Sequence, residues 1–559
     1  MSKDRAISEI DLQLMWTRLI AVVEEQAQAL LRTAFSPIVR EAGDLSAGIF
    51  DTRGRMLAQA VTGTPGHVNS MAESVSHFIT HFGLDAMHPG DAYITNDPWL
   101  GTGHLNDFVV TTPCFYRGQL VGLFSCTSHI MDIGGLGFGP DATDVFMEGL
   151  HIPFLKIIDG GVVNDTLMSM VRANTRLPID TVGDVYSLTA CNEVGVARLT
   201  EMMDEFGLTG LDALADTIIT RSREAVSSEI AKLPRGTWQV AMTTDGYDEP
   251  ITLRARLTIS DDGILVDYDG TDPQVRRGIN VPLAYTKAYT VFGLACAIAP
   301  EVPNNAGSLS LYRITAPSGS ILNARKPAPV AIRHIIGQML PDVVFGCLAQ
   351  ALPDRIPAEG TSCLWNLNVR GELPSGDDGN YGFTMTITSN GGTGARPAAD
   401  GLSATAYPSG VKGTPVEIAE AITPLVFWRK ELRPDSGGAG RTRGGLGQVI
   451  EIESSIGQPF ELLAAFDRID HPPRGRNGGL DGAAGVVRLA DGRSLKGKGT
   501  QRILPGERLV IETPGGGGAG LPVERSWQAV TRDLTDGLIS ENAAAETYAI
   551  GRSSTYSKE

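Results

Sequence analysis

The residues of this sequence best suited to bind a metal ion lie at two glycine-rich turns. The stretch "ITNDPWLGTGHLNDFVVTTP" places His104 three residues before Asp107, and "SHIMDIGG" places His129 three residues before Asp132. Imidazole and carboxylate groups together are a ligand set that suits Zn, Mn or Fe(II). The alternative is that the aspartates cap turns while the histidines bond to local carbonyl groups. The spacing alone leaves both interpretations open.

Nucleotide binding and covalent catalysis have little support in the sequence. There is no GxxxxGK[ST] loop, and "GGGGAG" at residues 515–520 is followed by "LPVERSW" instead of a helix, so a packed turn is predicted there. There is no GxSxG motif. Cys126 lies close to His129, but in an apolar run typical of a buried strand, where a thiol is inert. Metal chemistry is the remaining candidate.

Five other histidines give weaker indications. His77 and His81 lie one helical turn apart, but no third ligand is near them, so a solvated helix face is predicted. His88, His334 and His471 each stand alone beside polar or turn residues and indicate no site.

The composition predicts a large soluble protein with an acidic surface. Of its 559 residues, 42% are hydrophobic and 20% are charged, which is ordinary for a globular protein with a buried core. The formal charge is −17, from 47 basic and 64 acidic residues, and such a surface repels nucleic acid and anionic lipid. No export signal, membrane-length apolar run or CxxC spacing is present. A cytoplasmic location is predicted, without nucleic-acid or membrane partners.

The pattern of elements predicts a mixed α/β (α+β), multi-domain fold. Residues 8–33 have helical spacing and a capping signature, and apolar runs of strand length follow, separated by turns. The predicted sheets are mixed, with flanking helices. The predicted regions are a metal-binding N-terminal region at 1–234, a central α/β region at 235–426 and a β-rich, glycine-dense C-terminal region at 427–559. The 66 glycines imply many tight turns and close approaches of backbone to backbone or ligand.

Several segments together resemble the hydantoinase B family. They include "EAGDLSAGIFDTRGRMLAQ", the two histidine stretches, "EGLHIPFLK", "RANTRLPIDTVGD", "VPNNAGSLSLYRITAPSGSIL", "SGGAGRTRGGLG" and "GGGGAGLPVERS". That family includes subunits of ATP-dependent N-methylhydantoinases, 5-oxoprolinases, caprolactamases, and acetone and acetophenone carboxylases. The resemblance extends over nearly the whole chain.

The resemblance implies that the chain is one component of a two-part enzyme. A hydantoinase A-type partner binds ATP and phosphorylates a small-molecule substrate, in a hetero-oligomer expected to be of the α2β2 type. This chain then hydrolyses the activated cyclic amide, which would be a hydantoin, a lactam or 5-oxoproline. The alternatives are a component of an ATP-dependent ketone carboxylase, acting on acetone or acetophenone, and a non-catalytic scaffold.

By position, the resemblance implies that one divalent metal ion (Zn, Mn or Fe) is held by Asp44, His104, Asp107 and His129. Asp44 lies in "GDLSAG", where family members commonly have "DFS". Ile130 stands where many relatives have a second histidine. Two carboxylates and two imidazoles would neutralise a divalent ion and leave room for a water molecule.

Six further residues are expected around this centre. Asp132 is expected to orient a ligand imidazole, and the expected lining of the same cleft is Glu148 and His151. A phosphate group is expected to bind at Arg172, Asn174 and Arg176, since arginine suits phosphoryl oxygens. Structural ion pairing is the equally weighted alternative.

Overall fold

The computed structural model describes residues 8–373 and 382–549, and within them four sheets are flanked by helices. The helices are α1 (Glu9–Thr33), α2 (Pro37–Arg40), α3 (Pro65–Phe82), α4 (Asp165–Asn174), α5 (Pro178–Phe206), α6 (Asp212–Ala231), α7 (Leu283–Ile298), α8 (Ala306–Leu309), α9 (His334–Gly337), α10 (Leu340–Ala351), α11 (Val416–Ile422), α12 (Trp527–Thr535) and α13 (Glu541–Glu546). Across these described residues, no helix combines the length and apolar character needed to cross a membrane.

The strands are β1 (Leu45–Phe50), β2 (Met56–Gln59), β3 (Ala92–Thr95), β4 (Asp107–Tyr116), β5 (Gln119–His129), β6 (Leu155–Asp159), β7 (Val162–Val163), β8 (Gly236–Thr244), β9 (Ile251–Ser260), β10 (Gly263–Asp267), β11 (Tyr312–Thr315), β12 (Leu367–Glu372), β13 (Gly382–Ile387), β14 (Leu425–Leu432), β15 (Gln448–Ser454), β16 (Phe460–Ala465), β17 (Val486–Leu489), β18 (Lys498–Ile503) and β19 (Leu509–Glu512).

The N-terminal sheet has the strand order β2-β1-β5-β4-β3-β6-β7, and its neighbours are antiparallel. The hairpin of β1 and β2 is the one that the sequence predicts. Helices cover both faces of the sheet. Because successive strand residues point in opposite directions, neighbouring residues of one strand contact different helices. Phe124 packs in the cluster that includes residues of α1, α5 and α6, whereas Leu123 packs in the cluster with α3. This burial on both faces makes the sheet a rigid support for side chains at its strand ends.

Helix α1 begins where the sequence predicts. Ser8 is the N-cap, and its hydroxyl accepts a hydrogen bond from the backbone N–H of Asp11. The buried positions recur at helical spacing and include Leu12, Leu19 and Leu30. This apolar face docks the helix on the sheet and on α5.

The central region contains the predicted meander. Strands β8, β9 and β10 are consecutive antiparallel neighbours, and β11 pairs with β10 in the parallel direction. Apolar residues of α7 and α10, such as Leu294 and Val344, share one large core with this sheet.

The central and C-terminal regions share a sheet. Its order is β13-β12-β16-β18, while β14-β15-β19-β17 forms a second C-terminal sheet. The boundary predicted between residues 426 and 427 falls inside β14, Leu425–Leu432. An apolar strand pattern identifies a strand but does not identify its partner. The sequence therefore does not show that strands of the two predicted regions pair in one sheet.

Glycine segments of the C-terminal half pack backbone against backbone. Gly516 donates its N–H to Gly445 O at 2.9 Å, and Gly445 donates to Thr393 O at 2.8 Å. A Cβ on Gly516 would lie 1.9 Å from Thr393 O, so no other residue fits without displacing the chain. This arrangement agrees with the packed turn predicted at residues 515–520.

Candidate metal centre

Three of the four predicted metal ligands meet at one end of the N-terminal sheet. Asp107 is the first residue of β4 and lies directly opposite His129, the last residue of β5. His104 lies in the turn before β4, and one ligand atom from each of the three residues lies within 4.8 Å of the others. All three are buried. Gly103 permits this turn, because its φ is +102° and a Cβ there would lie 2.6 Å from Arg333 Nε.

The donor atoms of this cluster fit a metal ion. His104 Nε2 lies 2.6 Å from Asp107 Oδ1, and His129 Nδ1 lies 3.4 Å from the same oxygen. Even so, His104 Nε2, His129 Nε2 and Asp107 Oδ1 are buried and make no hydrogen bond with any residue that the structure describes. Buried polar atoms are normally paired. His104 Nε2 and Asp107 Oδ1 are thus adjacent and unpaired, and the ring of His129 beside them offers a further nitrogen, which together form a donor set that suits a divalent cation.

The second oxygen of Asp107 is fully engaged by the protein. Arg333 Nη2 donates to Asp107 Oδ2 at 2.6 Å, and His67 Nε2 lies 2.9 Å from the same atom. The guanidinium of Arg333 also donates through Nε to Thr102 O and stacks 3.9 Å above the ring of Tyr285. These contacts fix the carboxylate plane and leave Oδ1 facing the two histidines.

The charges in the cluster suit cation binding. Burial opposes ionisation of Asp107, but the positive charges of His67 and Arg333 outweigh burial and hold its pKa well below the usual range. Burial and the neighbouring Arg333 lower the pKa of His104 to about 3, so its ring is neutral near pH 7. An ionised carboxylate and a neutral imidazole are the protonation states that bind metal.

The orientation of His104 is fixed from the central region. Its Nδ1 is 2.7 Å from Ala331 O, and because a carbonyl only accepts hydrogen bonds, Nδ1 carries the proton. Nε2 is therefore the free lone-pair donor that faces Asp107. This is the usual way in which a backbone carbonyl orients a ligand histidine.

Asp44, the fourth predicted ligand, lines the same pocket, but the ring of His67 lies between it and Asp107. Its Oδ1 accepts a hydrogen bond from Thr64 Oγ1 at 3.0 Å and lies 3.5 Å from His67 Nδ1. It does not belong to the group of three whose donor atoms converge. The geometry therefore connects Asp44 to Asp107 through the ring of His67.

Three residues of this site are missed by sequence reasoning: His67, Arg333 and His334. His67 lies buried in the first turn of α3, and Arg333 and His334 come from the start of α9. The sequence indicates no site at His334, yet its ring stacks on Phe138 at 5.6 Å and its buried Nε2 has no partner among the described residues. The stretch "PAPVAIRH" carries no metal-ligand spacing, so only the tertiary fold identifies it.

Glu148 does not line the pocket, contrary to expectation. Its Oε1 accepts hydrogen bonds from the backbone N–H groups of Val330 at 2.6 Å and Ala331 at 2.8 Å. Burial raises its pKa to about 8. Since Ala331 holds His104, Glu148 acts on the site only indirectly, by anchoring the segment that orients a candidate ligand.

Asp132 and Arg176 are paired with each other instead of reaching the centre. Arg176 Nη1 donates to Asp132 Oδ1 at 2.8 Å, and Thr175 Oγ1 donates to Asp132 Oδ2 at 2.8 Å. The backbone N–H of Gly134 also donates to Asp132 Oδ1. The carboxylate thus caps a turn, which matches the structural alternative, and no described contact joins it to a ligand imidazole.

The remaining expected residues also lie outside the pocket. His151 Nε2 is 3.1 Å from Asp97 Oδ2, and neither residue lines the pocket. Arg172 and Asn174 are exposed at the end of α4, where Asn174 Nδ2 donates to the backbone of its own helix at Met170 O. Among the described residues, these positions form no converging phosphate site.

The pocket beside the cluster is enclosed by residues from the predicted N-terminal and central regions. Phe138 covers it, with its ring centroid 4.6 Å from that of His129 and 5.7 Å from that of His104. Another wall is formed by Leu364 and Asn366, just before β12, and by Thr386 of β13. The pocket has a volume of about 20 Å³ and is lined by Ile38, Asp44, Thr64, His67, His104, His129, Phe138, Tyr285, Arg333, His334, Gln338, Leu364, Asn366, Thr386 and Val411.

Comparison with known proteins confirms the family. Residues 8–522 match the family described as hydantoinase B/oxoprolinase, and the chain belongs to it. A protein of Pseudomonas sp. (strain NS671), named as a candidate D-/L-hydantoinase component, is 30% identical and aligns over 98% of this chain and 95% of its own length. The caprolactamase beta chain of Pseudomonas jessenii is 28% identical, over 97% and 96% of the two chains.

A solved structure confirms the fold class. The crystal structure of ATP-dependent caprolactamase from Pseudomonas jessenii superposes with a TM-score of 0.88 at 26% identity, covering 98% of this chain and 97% of that one. The predicted mixed α/β, multi-domain class is therefore correct. The hydantoinase and caprolactamase relatives are both named as one subunit among several, which implies that such chains work with a partner.

Proposed function

We propose that this chain is the metal-dependent subunit of an ATP-dependent cyclic amide hydrolase. The observation that carries the proposal is the convergence of unpaired, buried donor atoms from His104, Asp107 and His129. The relatives named hydantoinase and caprolactamase support a cyclic amide as the substrate class. A non-catalytic scaffold would have no use for this cluster, since unpaired buried polar atoms destabilise a fold.

Four side chains hold the ion in this proposal. They are the three convergent residues His104, Asp107 and His129, with Asp44 as the predicted fourth ligand. A bound divalent ion such as Zn, Mn or Fe lowers the pKa of a coordinated water, so hydroxide forms near neutral pH.

The surrounding side chains tune and enclose the centre. Arg333 and His67 keep one oxygen of Asp107 occupied and its charge negative. Phe138 covers the histidines and limits access of bulk water, which would otherwise compete for an activated substrate.

The ATP-dependent half of the reaction is assigned to a hydantoinase A-type partner, in a hetero-oligomer proposed to be of the α2β2 type. The sequence of this chain has no P-loop, and its formal charge of −17 disfavours capture of a free nucleotide. The partner would phosphorylate the amide oxygen, and this chain would then direct water to the activated carbonyl carbon.

Metal analysis tests the proposal. Purified wild-type protein should carry about one divalent ion per chain, and His104→Ala should lose most of it, because an alanine methyl offers no ligand atom. His88→Ala is the matched control, since His88 is exposed and does not line the pocket, and it should keep the metal. In the reconstituted complex, His104→Ala should lower product formation by more than about 100-fold. Wild-type protein that contains no stoichiometric metal and stays active after chelation would refute the proposal.

A further inference from the structure

The pocket beside the candidate metal ligands has room for one water molecule. Its volume is about 20 Å³, and since a water needs roughly 10–15 Å³, a second one does not fit. A buried water normally makes about three hydrogen bonds, so it needs polar atoms without another partner on the walls of its pocket. The unpaired polar atoms of this pocket therefore indicate what such a water contacts.

Two side chains outside the predicted ligand set offer such atoms. His334, at the start of α9, and Asn366, just before β12, both line the pocket and are both 4% exposed. His334 Nε2 and Asn366 Oδ1 are buried and form no hydrogen bond with any residue of the described ranges 8–373 and 382–549. Because buried polar atoms without a partner destabilise a fold, these two atoms call for one.

The ring of His334 is held beside the ligand cluster without belonging to it. Across the described residues, the group whose donor atoms converge consists of His104, Asp107 and His129. His334 stacks on Phe138 with ring centroids 5.6 Å apart, and Phe138 also contacts the rings of His104 and His129. Its imidazole therefore faces the same small pocket from outside the ligand set.

Both atoms can accept a hydrogen bond. Burial and the neighbouring Arg333 lower the pKa of His334 well below the ordinary 6.5, so its ring is neutral near pH 7. A neutral imidazole has one acceptor nitrogen, and the amide oxygen of Asn366 is an acceptor at any pH. The pocket thus has two acceptors in addition to the ligand cluster.

We propose that His334 and Asn366 bind and orient the water molecule that attacks the activated amide, an inference that rests on the proposed function. His334 Nε2 and Asn366 Oδ1 accept the two hydrogens of this water. Its lone pairs then point away from both acceptors, one toward the ion that His104, Asp107 and His129 would hold and one toward the substrate. A water held in this way is already oriented for attack on the carbonyl carbon.

The kinetic test uses His334→Leu and Asn366→Leu in the reconstituted complex. Each should lower kcat by about 10- to 100-fold and leave KM nearly unchanged, because the water loses an orienting bond while the substrate keeps its contacts. Asn368→Leu is the matched control. Asn368 is 3% exposed and its amide atoms are also unpaired, but it does not line the pocket, so this variant should keep the wild-type kcat.

Equal falls in kcat for Asn366→Leu and Asn368→Leu, or a wild-type kcat for His334→Leu, would overturn the inference. Thermal unfolding of the same variants checks the fold. Since each leucine replaces a side chain whose buried atom is unpaired, the Tm should equal or exceed that of the wild type. A marked fall in the Tm of His334→Leu would assign the histidine a structural role instead.

Metal analysis separates orientation of the water from binding of the ion. His334→Leu and Asn366→Leu should keep the metal content of the wild type, whereas His104→Ala should lose most of the ion. Loss of the ion in His334→Leu would make this histidine a ligand and contradict the inference.

A crystal structure of the full wild-type chain gives a readout that needs neither turnover nor a partner. One water should lie within about 3.2 Å of both His334 Nε2 and Asn366 Oδ1, and it should be absent from His334→Leu. No water at this position in the wild type, or a metal ion bound directly to either atom, would overturn the inference. If the water is present but the chain binds no metal and the complex forms no product, the result counts against the proposed function alone.

Discussion

At the scale of single residues, the two carboxylate oxygens of Asp107 have different surroundings and different roles. Oδ2 receives Arg333 and lies against His67, whereas Oδ1 faces His104 and His129 without a hydrogen bond. Replacing the carboxylate by an amide would remove its charge and turn one of these acceptors into a donor, on the side of either Arg333 or the two ligand histidines. The sequence offers His104 and His129, each with an aspartate three residues on, but its spacing leaves the metal and turn-capping interpretations open. The pairing of β4 with β5 is what places Asp107 opposite His129.

Glu148 gives a residue-scale prediction about pH. Burial raises its pKa to about 8 from the ordinary 4.5, so the folded protein keeps a proton that the unfolded chain releases. The stability that this proton contributes is fully present below pH 4.5 and is lost progressively as the pH rises to about 8. Glu148→Gln keeps an acceptor for Val330 and Ala331 but does not titrate. Between about pH 5 and 8, the Tm of the wild type should therefore fall more than that of the variant.

The comparison is made by thermal unfolding of both proteins in matched buffers across that range. Glu148→Ala serves as the control, since it removes the acceptor as well as the proton. That variant should have a lower Tm at every pH and should bind less metal, because Ala331 no longer holds His104 in place. Parallel curves for the wild type and Glu148→Gln would show that Glu148 titrates normally in the folded protein.

At the scale of elements, sequence patterns predict those helices and strand pairs that are formed by residues close together in the chain. Helix α1, the β1–β2 hairpin and the β8–β9–β10 meander all agree with the sequence because capping, periodicity and turns act over short distances. The pairing of β12 with β16 is not local, and the sequence does not predict it. For the same reason His67, Arg333 and His334 are missed, since separate segments supply them and no motif marks those segments.

The glycine segments give an element-scale prediction. Gly516→Ala should destabilise the protein by about 3 kcal/mol or more, since its Cβ would meet Thr393 O at 1.9 Å and backbone cannot move aside cheaply. Gly210→Ala is the matched control, because nothing lies within 4 Å of its Cβ position. The midpoint of urea unfolding should fall for the first variant and stay within experimental error for the second. Equal midpoints would show that the packed segment is easily displaced.

At the scale of the whole molecule, residues that lie far apart in the sequence form the metal pocket together. Side chains from β5, α3 and the turn before β4 meet Arg333 and His334, and the wall at β12 and β13 completes the enclosure. Strand β16 of the predicted C-terminal region pairs with β12 and so supports that wall. The predicted regions therefore build one site together, although the length of the chain suggests separate domains. Total charge and the missing nucleotide motif, both read from sequence, still define the proposed division of labour with a partner.

The most direct measurement follows ATP use and product together in separated and recombined subunits. The substrates are 5-oxoproline, hydantoin and ε-caprolactam, with acetone and bicarbonate to detect carboxylation. Product should require both subunits and ATP, and this chain alone should neither hydrolyse ATP nor form product. With His104→Ala, the partner should still consume ATP while product falls by more than about 100-fold, whereas His88→Ala should behave as the wild type. Full product yield with His104→Ala, or product from this chain without ATP, would contradict the account.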